Sequence, residues 1–411
     1  MLRSEGGPRL APTAQGRMRS IRSGRCWGCT YNFSAASVSL PFLPNPPVPS
    51  VVSEPISIYD SSGVELLRRE LRLDPQRVRR WRTSLLKRFL PAEEALVDFP
   101  ADRLAVHALA EHGRFDSGVD GATKLLLRTS AGMLVEAVIL RIATGRTTLC
   151  ISCQVGCAAA CRFCATGKMG VARPLSVAEI LDQILRAGQI LREEDRSLRN
   201  IVFMGMGEPF HNEENLYPAL ETLTSPEFFN HAPTKILVST VGIPEAMVRF
   251  AERFPKINLA LSLHSARQEV REQLIPLAKR YPLDALREAV AEVNRIQQKS
   301  VMIEYLMLAD VNDGDEDARQ LMAWIEGLDV HVNLIPFNAI DGAPELTASD
   351  RPRREAFAAR LKAAGIKTTM RYSLGQDIEA ACGQLVRRLE RHPRGGALPG
   401  PKSPTLPQAG E

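Results

Sequence analysis

Residues 150 to 167 read CISCQVGCAAACRFCATG and hold five of the chain's eight cysteines. Within them Cys157, Cys161 and Cys164 are spaced C-x3-C-x2-C, so one compact loop can turn three thiolates toward a common centre. Two chemistries suit such a set. Iron–sulfur clusters are held by cysteine thiolates, usually four, and three would leave one iron open to another ligand. Zinc would need a fourth donor, which Cys150 or Cys153 could supply, although zinc favours paired short spacings. Further on, GMGEP (Gly205 to Pro209) combines glycines that let backbone approach closely with Glu208, a carboxylate suited to an ammonium group. Cys382 stands alone in AACGQL, where the ordinary meaning of a lone cysteine is a buried core thiol.

The elements around these residues alternate. Short apolar runs NIVFMG, KILVST, INLALSL, VMIEYLML, VHVNLIPF and KTTMRYS read as strands, each followed by a stretch of helical period. Ser176 and Glu179 form a capping box that opens the first of these helices. Repeated βα units imply a parallel sheet with helices outside it, and six or seven of them suit a full or partial (β/α) barrel. In a barrel the chemistry sits at the carboxyl ends of the strands, and the cysteine loop and GMGEP follow the first two strands on one rim. Before them, TKLLLRTS and MLVEAVILRI read as a β-hairpin leading into TTLCIS.

The composition is that of an ordinary globular chain, with 45% hydrophobic and 24% charged residues. No apolar run approaches the roughly 18 residues of a membrane span. Clustered cysteines in a chain of this size point to a metal site or catalytic thiols in a reducing compartment. The net charge of +5 permits an anionic partner without demanding one. Residues 1–55 carry six arginines from Arg3 to Arg25 and then a proline-rich stretch, the composition of a disordered or processed extension. An organelle transit peptide and an over-long start with Met18 as initiator are both open there. Its Cys26 and Cys29 are half of a zinc pattern without a second half. Residues 56–115 form a basic helical accessory domain, with nine Lys or Arg from Arg68 to Arg88, either a solvated face or a phosphate-tracking surface. Residues 116–147 are the β-hairpin linker, 148–392 the barrel and 393–411 a disordered tail.

The cysteine spacing, with Phe163 just before the last ligand, resembles the radical S-adenosylmethionine superfamily. Further motifs narrow the resemblance: TLCISCQVGCAAACRFCATG, VFMGMGEP, LVST, SLHS, IPFN and AACGQL occur in the order and approximate spacing of the RlmN/Cfr family of radical adenosine methyltransferases, over roughly residues 120 to 390. SLHSA departs from the family's commoner SLHAP, and the basic segment does not closely match its accessory domain.

The resemblance implies an α/β fold, a partial (β/α) barrel with an N-terminal helical accessory domain and hairpin. It implies one [4Fe-4S] cluster on Cys157, Cys161 and Cys164, with S-adenosyl-L-methionine contacted by Gly207, Glu208, Ser239, Ser262, Leu263, His264 and Asn338. Cys382 would be methylated and then linked to an adenine ring carbon, Cys150 would resolve that link by forming a disulfide, and Glu136 would accept a proton. Glu136 also suits a hairpin salt bridge, and Cys153, commonly serine in relatives, has no implied role. The implied substrate is an adenosine of 23S ribosomal RNA in the peptidyl-transferase loop, with a tRNA anticodon-loop adenosine in some members; the base must leave its stack to be reached. Methylation at C2 is the first expectation, Pro209 favouring that branch, and C8 methylation, Cfr-like and linked to antibiotic resistance, is the alternative. A non-catalytic, zinc-stabilised RNA-binding protein is a reading of another class. A flavodoxin-type electron donor, a cytoplasmic location and a monomer without membrane contact complete the expectations.

Overall fold

The computed structural model describes residues 54–170 and 173–385. The amino-terminal extension to Ser53, with Cys26 and Cys29, and the tail beyond Leu385 lie outside the described residues.

Ten strands form one sheet: β1 Ala110–Asp116, β2 Ala122–Arg128, β3 Leu134–Arg141, β4 Thr147–Cys150, β5 Asn200–Phe203, β6 Ile236–Thr240, β7 Asn258–Ser262, β8 Val301–Met307, β9 Val330–Pro336 and β10 Thr368–Met370. They lie side by side in chain order. β1 to β4 pair antiparallel, and from β4 onward each strand pairs parallel with the next. The sheet has two edges, β1 and β10, so the barrel is partial, as the family resemblance implies, where the strand pattern left a full barrel open. All six strand runs read from the sequence are present.

The helices that follow the parallel strands are α3 Val177–Glu193, α4 Glu213–Thr224, α5 Pro244–Arg253, α6 Gln268–Leu274, α7 Leu283–Gln297, α8 Asp315–Ile325 and α9 Arg351–Ala363, preceded in the chain by α1 Ser61–Glu70 and α2 Pro75–Arg82. The capping box of α3 forms: Ser176 Oγ accepts from Glu179 N, and Glu179 Oε2 from Ser176 N at 2.8 Å. One face of α3 buries Ile180, Leu181, Ile184 and Leu185, the apolar stripe that a helix lays on a sheet.

The helical region before the sheet packs on α3. His107 Nδ1 lies 2.7 Å from Asp182 Oδ1, whose Oδ2 accepts from the amides of Ala108 and Leu109. The basic run is partly structural. Arg82 is buried, its guanidinium 4.4 Å from the Phe228 ring centroid, and Arg68 and Arg69 both pair with Glu65. Arg72, Arg79, Arg80 and Arg88 are exposed.

Candidate active site

The cysteine loop leaves the end of β4 and is fastened at several points. Cys153 N donates to Met206 O at 2.9 Å, and Leu175 N to Cys153 O at 3.0 Å. The GMGEP turn after β5 lies directly against it: a Cβ on Gly205 would stand 2.6 Å from Ser152 Oγ, and one on Gly207, at φ +102°, 2.6 Å from Gln154 Cβ. The glycines therefore serve packing of one rim loop on the next. From the far side, Arg162 N donates to Leu274 O of α6 at 2.9 Å.

Cys157, Cys161 and Cys164 line one cavity of about 150 Å³ together with Gly207, Glu208, Ser239, Ser262 and His264. Leu263 is fully buried, and neither it nor Asn338 is among the cavity's lining residues. Leu263 N instead donates to Glu304 O, and Asn338 Nδ2 to Cys382 O at 3.1 Å. Glu208 is buried, with Oε1 accepting from Phe210 N at 3.1 Å and Oε2 from Val241 N at 2.8 Å. Burial raises its pKa to about 7, against these hydrogen bonds, which lower it. Burial and the Arg271 guanidinium together push His264 down to about 3, so it is neutral; its Nδ1 accepts from Leu306 N at 3.0 Å, which puts the proton on Nε2. Phe163 meets the His264 ring edge-on at 4.8 Å.

Cys382 lines this cavity and also a second one of about 540 Å³, and Cys150 lines the second but not the first. The turn carrying Cys382 is tied to the cysteine loop: Ala165 N donates to Gly383 O at 2.7 Å, and Thr166 Oγ1 to Leu385 O at 2.7 Å. Gly383, at φ +85°, has Phe163 O 3.1 Å from where its Cβ would be. Two thiols more than two hundred positions apart in sequence thus share one space. Burial pushes the Cys150 thiol up to about 12, while Arg371 and a Met204 backbone hydrogen bond pull it down.

Glu136 lines neither cavity; it lies on β3, buried, with Oε1 3.4 Å from Lys124 Nζ on β2, and its carbonyl accepts from Ser152 Oγ at 2.6 Å. Cys153 also lies outside both cavities, its Sγ donating to Met206 O at 3.7 Å. With neither Cys150 nor Cys153 on the cavity of the three cysteines, a zinc site there lacks the fourth thiolate that the sequence offered it.

Two residues at this site escape motif reading. Arg371, just past β10, lines both cavities and lies within electrostatic reach of Cys382, Glu304 and Cys150. Glu304, midway along β8 opposite Ser262 and Asn333, is buried and lines the smaller cavity; Oε2 accepts from Asn333 Nδ2 at 2.8 Å, and burial raises its pKa. The available signal for Glu304 was its being the one charge inside the apolar run VMIEYLML; KTTMRYS, largely polar and with Lys367 beside Arg371, offered none.

The residues fit an iron–sulfur cluster on one open side. Three soft donors from one loop face a common cavity, and a fully buried arginine behind them, Arg271, has two guanidinium nitrogens without a partner among the described residues. No three His, Cys, Asp or Glu side chains among the described residues close on a single-ion site; a cluster instead takes each thiolate on its own iron.

The family model for the radical SAM superfamily matches residues 151–322. A probable RNA methyltransferase of Rhodopirellula baltica is 58% identical over 337 residues, covering 82% of this chain and 89% of that protein. A probable dual-specificity RNA methyltransferase RlmN of Thermus thermophilus is 42% identical over 281 residues, 68% of this chain and 79% of that one. Among solved structures, a radical SAM methyltransferase from Sphaerobacter thermophilus superimposes with a TM-score of 0.75 at 37% identity, covering 80% of this chain and 99% of that one. With its partial barrel, its loop of three cysteines and relatives that span most of its length, the chain belongs to the RlmN/Cfr family of radical S-adenosylmethionine RNA methyltransferases.

Proposed function

We propose that this chain methylates C2 of an adenosine in the peptidyl-transferase loop of 23S ribosomal RNA, with a tRNA anticodon-loop adenosine as a second substrate. The observation that carries the reading is Cys382 lining two cavities, the smaller with Cys157 and Cys161, the larger with Cys150. The relatives' names, which include dual-specificity RNA methyltransferases, support an RNA substrate of more than one kind.

Cys157, Cys161 and Cys164 would hold a [4Fe-4S] cluster. Gly207, Glu208, Ser239, Ser262 and His264 would surround S-adenosylmethionine, while Leu263 and Asn338 hold the backbone beside it. When bound, these groups supply a methyl group and a 5′-deoxyadenosyl radical. Cys382 carries the methyl as an S-methyl thioether, gives up one hydrogen atom from it, and bonds through the remaining carbon to the flipped adenine, which then releases its ring proton and one electron, the electron returning to the proposed electron carrier. Cys150 then attacks the Cys382 sulfur, so that the disulfide forms as the methylated base departs. Because burial holds Cys150 protonated, that attack needs a base or the positive charge of Arg371. Glu136 is a proposed acceptor of the ring proton, and so is Cys150 once it has lost its own. A flavodoxin-type protein is the proposed electron donor, a monomer the acting form, and the cytoplasm its compartment.

Anaerobic reconstitution with iron and sulfide, followed by incubation with ribosomal RNA and mass spectrometry of the nucleosides, tests the reading: 2-methyladenosine is expected, and 8-methyladenosine would give the alternative regiochemistry instead. Cys150→Ala is expected to accumulate protein covalently bound to RNA, seen as a shifted band that ribonuclease trims; normal turnover by this variant removes Cys150 from the mechanism.

A further inference from the structure

Arg271 is buried to 0% exposure on α6. Its Nη2 donates to the carbonyl oxygen of Val241, while Nε and Nη1 have no hydrogen-bond partner among the described residues. A buried cation without a counter-ion is strongly destabilising, so the position asks what negative charge it answers to. Its surroundings supply one candidate. His264 nearby is neutral, Val241 offers a carbonyl dipole, and the acidic group within electrostatic reach is the thiol of Cys161, which carries negative charge only as a thiolate.

The arrangement is rigid. Val270 and Leu274 of α6 share an apolar cluster with Ala159 and Cys161, and the Arg162 amide is bonded to the Leu274 carbonyl. Arg271 does not line the cavity itself; from α6 its guanidinium reaches the carbonyl of Val241, which does. An iron–sulfur cluster takes its cysteines as thiolates. Negative charge then appears beside the guanidinium. A [4Fe-4S] core with three thiolates carries one net negative charge oxidised and two reduced, so a fixed positive charge in a medium of low dielectric favours the reduced form.

We propose, resting on the cluster reading above, that Arg271 is a positioning residue for the cluster: a fixed counter-charge behind Cys161 that raises the cluster's reduction potential and is left unanswered until the cluster is in place.

The test uses the full chain as Arg271→Gln and Arg271→Lys, reconstituted anaerobically, with iron and sulfide assayed and reduction followed by electron paramagnetic resonance during a potentiometric titration. Fully loaded Arg271→Gln is expected to be at least tenfold harder to reduce, about 59 mV for one electron, and Arg271→Lys to stay within threefold of the parent. Parental potential in a fully loaded Gln variant, or equal shifts in both variants, overturns the proposal. A second readout needs no cluster: cluster-free Arg271→Met is expected to unfold at the same or higher denaturant concentration than the parent, since the unanswered charge is gone. A clear loss of stability there makes Arg271 a packing residue and likewise overturns the proposal. A parent chain that takes up no iron at all sinks the cluster reading, which distinguishes that failure from failure of the role given to Arg271 alone.

Discussion

At the scale of residues, spacing made the cysteines legible. Three thiols within one short loop have few meanings. Arg371, in a largely polar run, was not legible. Nor was Glu304, because a single charge in an apolar strand reads the same whether it faces a site or solvent; only the register that sets Glu304 between Ser262 and Asn333 turns it inward. Glu208 was found, but the use of both its oxygens on backbone amides was not, since loop hydrogen bonding depends on where Val241 arrives from β6. A testable consequence concerns pH. With its pKa raised from 4.5 to about 7, Glu208 holds its proton in the folded chain across a range where the unfolded chain has lost it. The folded form thus binds more protons, and stability falls as pH rises from 4.5 to about 7, then levels. Denaturation of the cluster-free chain across that window is expected to show a shallower slope for Glu208→Gln; an unchanged slope assigns the titration elsewhere.

At the scale of elements, the parallel strands were legible because all but the edge strand β10 carry buried apolar residues, whereas β1 was missed. Its sequence AEHGRFD is mostly exposed along an edge and carries no apolar pattern to read. The seating of the helical region was also illegible, since it turns on contacts between residues far apart in sequence. Gly188, inside α3, faces Phe89, whose backbone is at φ +56°; a Cβ on Gly188 would lie 2.3 Å from the ring. Gly188→Ala gains helix propensity but must move that ring, and Gln189 Nε2 bonded to Leu90 O at 3.3 Å restrains the segment. Overpacking outweighs propensity, so a net loss of about 1–2 kcal/mol is expected in urea unfolding. Phe89→Leu in the same chain is expected to recover part of it; no loss in the single variant means that the ring moves freely.

At the scale of the whole molecule, the basic segment that composition presents as one surface divides in the structure. Arg68, Arg69 and Arg82 are engaged with Glu65, Phe228 and Glu227, leaving Arg72, Arg79, Arg80 and Arg88 outward. If these track phosphates, Arg79→Ala with Arg80→Ala is expected to weaken RNA binding and to reduce the slope of log affinity against log salt by about one per arginine lost. An unchanged slope in a filter-binding titration assigns the pair to solvation alone. The two cavities carry a consequence of another kind. Met204, Gly205, Thr166, Ile335 and Arg371 belong to both linings. A substitution at any of them reshapes both rooms together, so variation there is doubly constrained. Leu140, Ile142 and Leu374 border only the larger room. These are the positions at which natural drift or deliberate engineering can widen or narrow that room while the neighbouring one keeps its form.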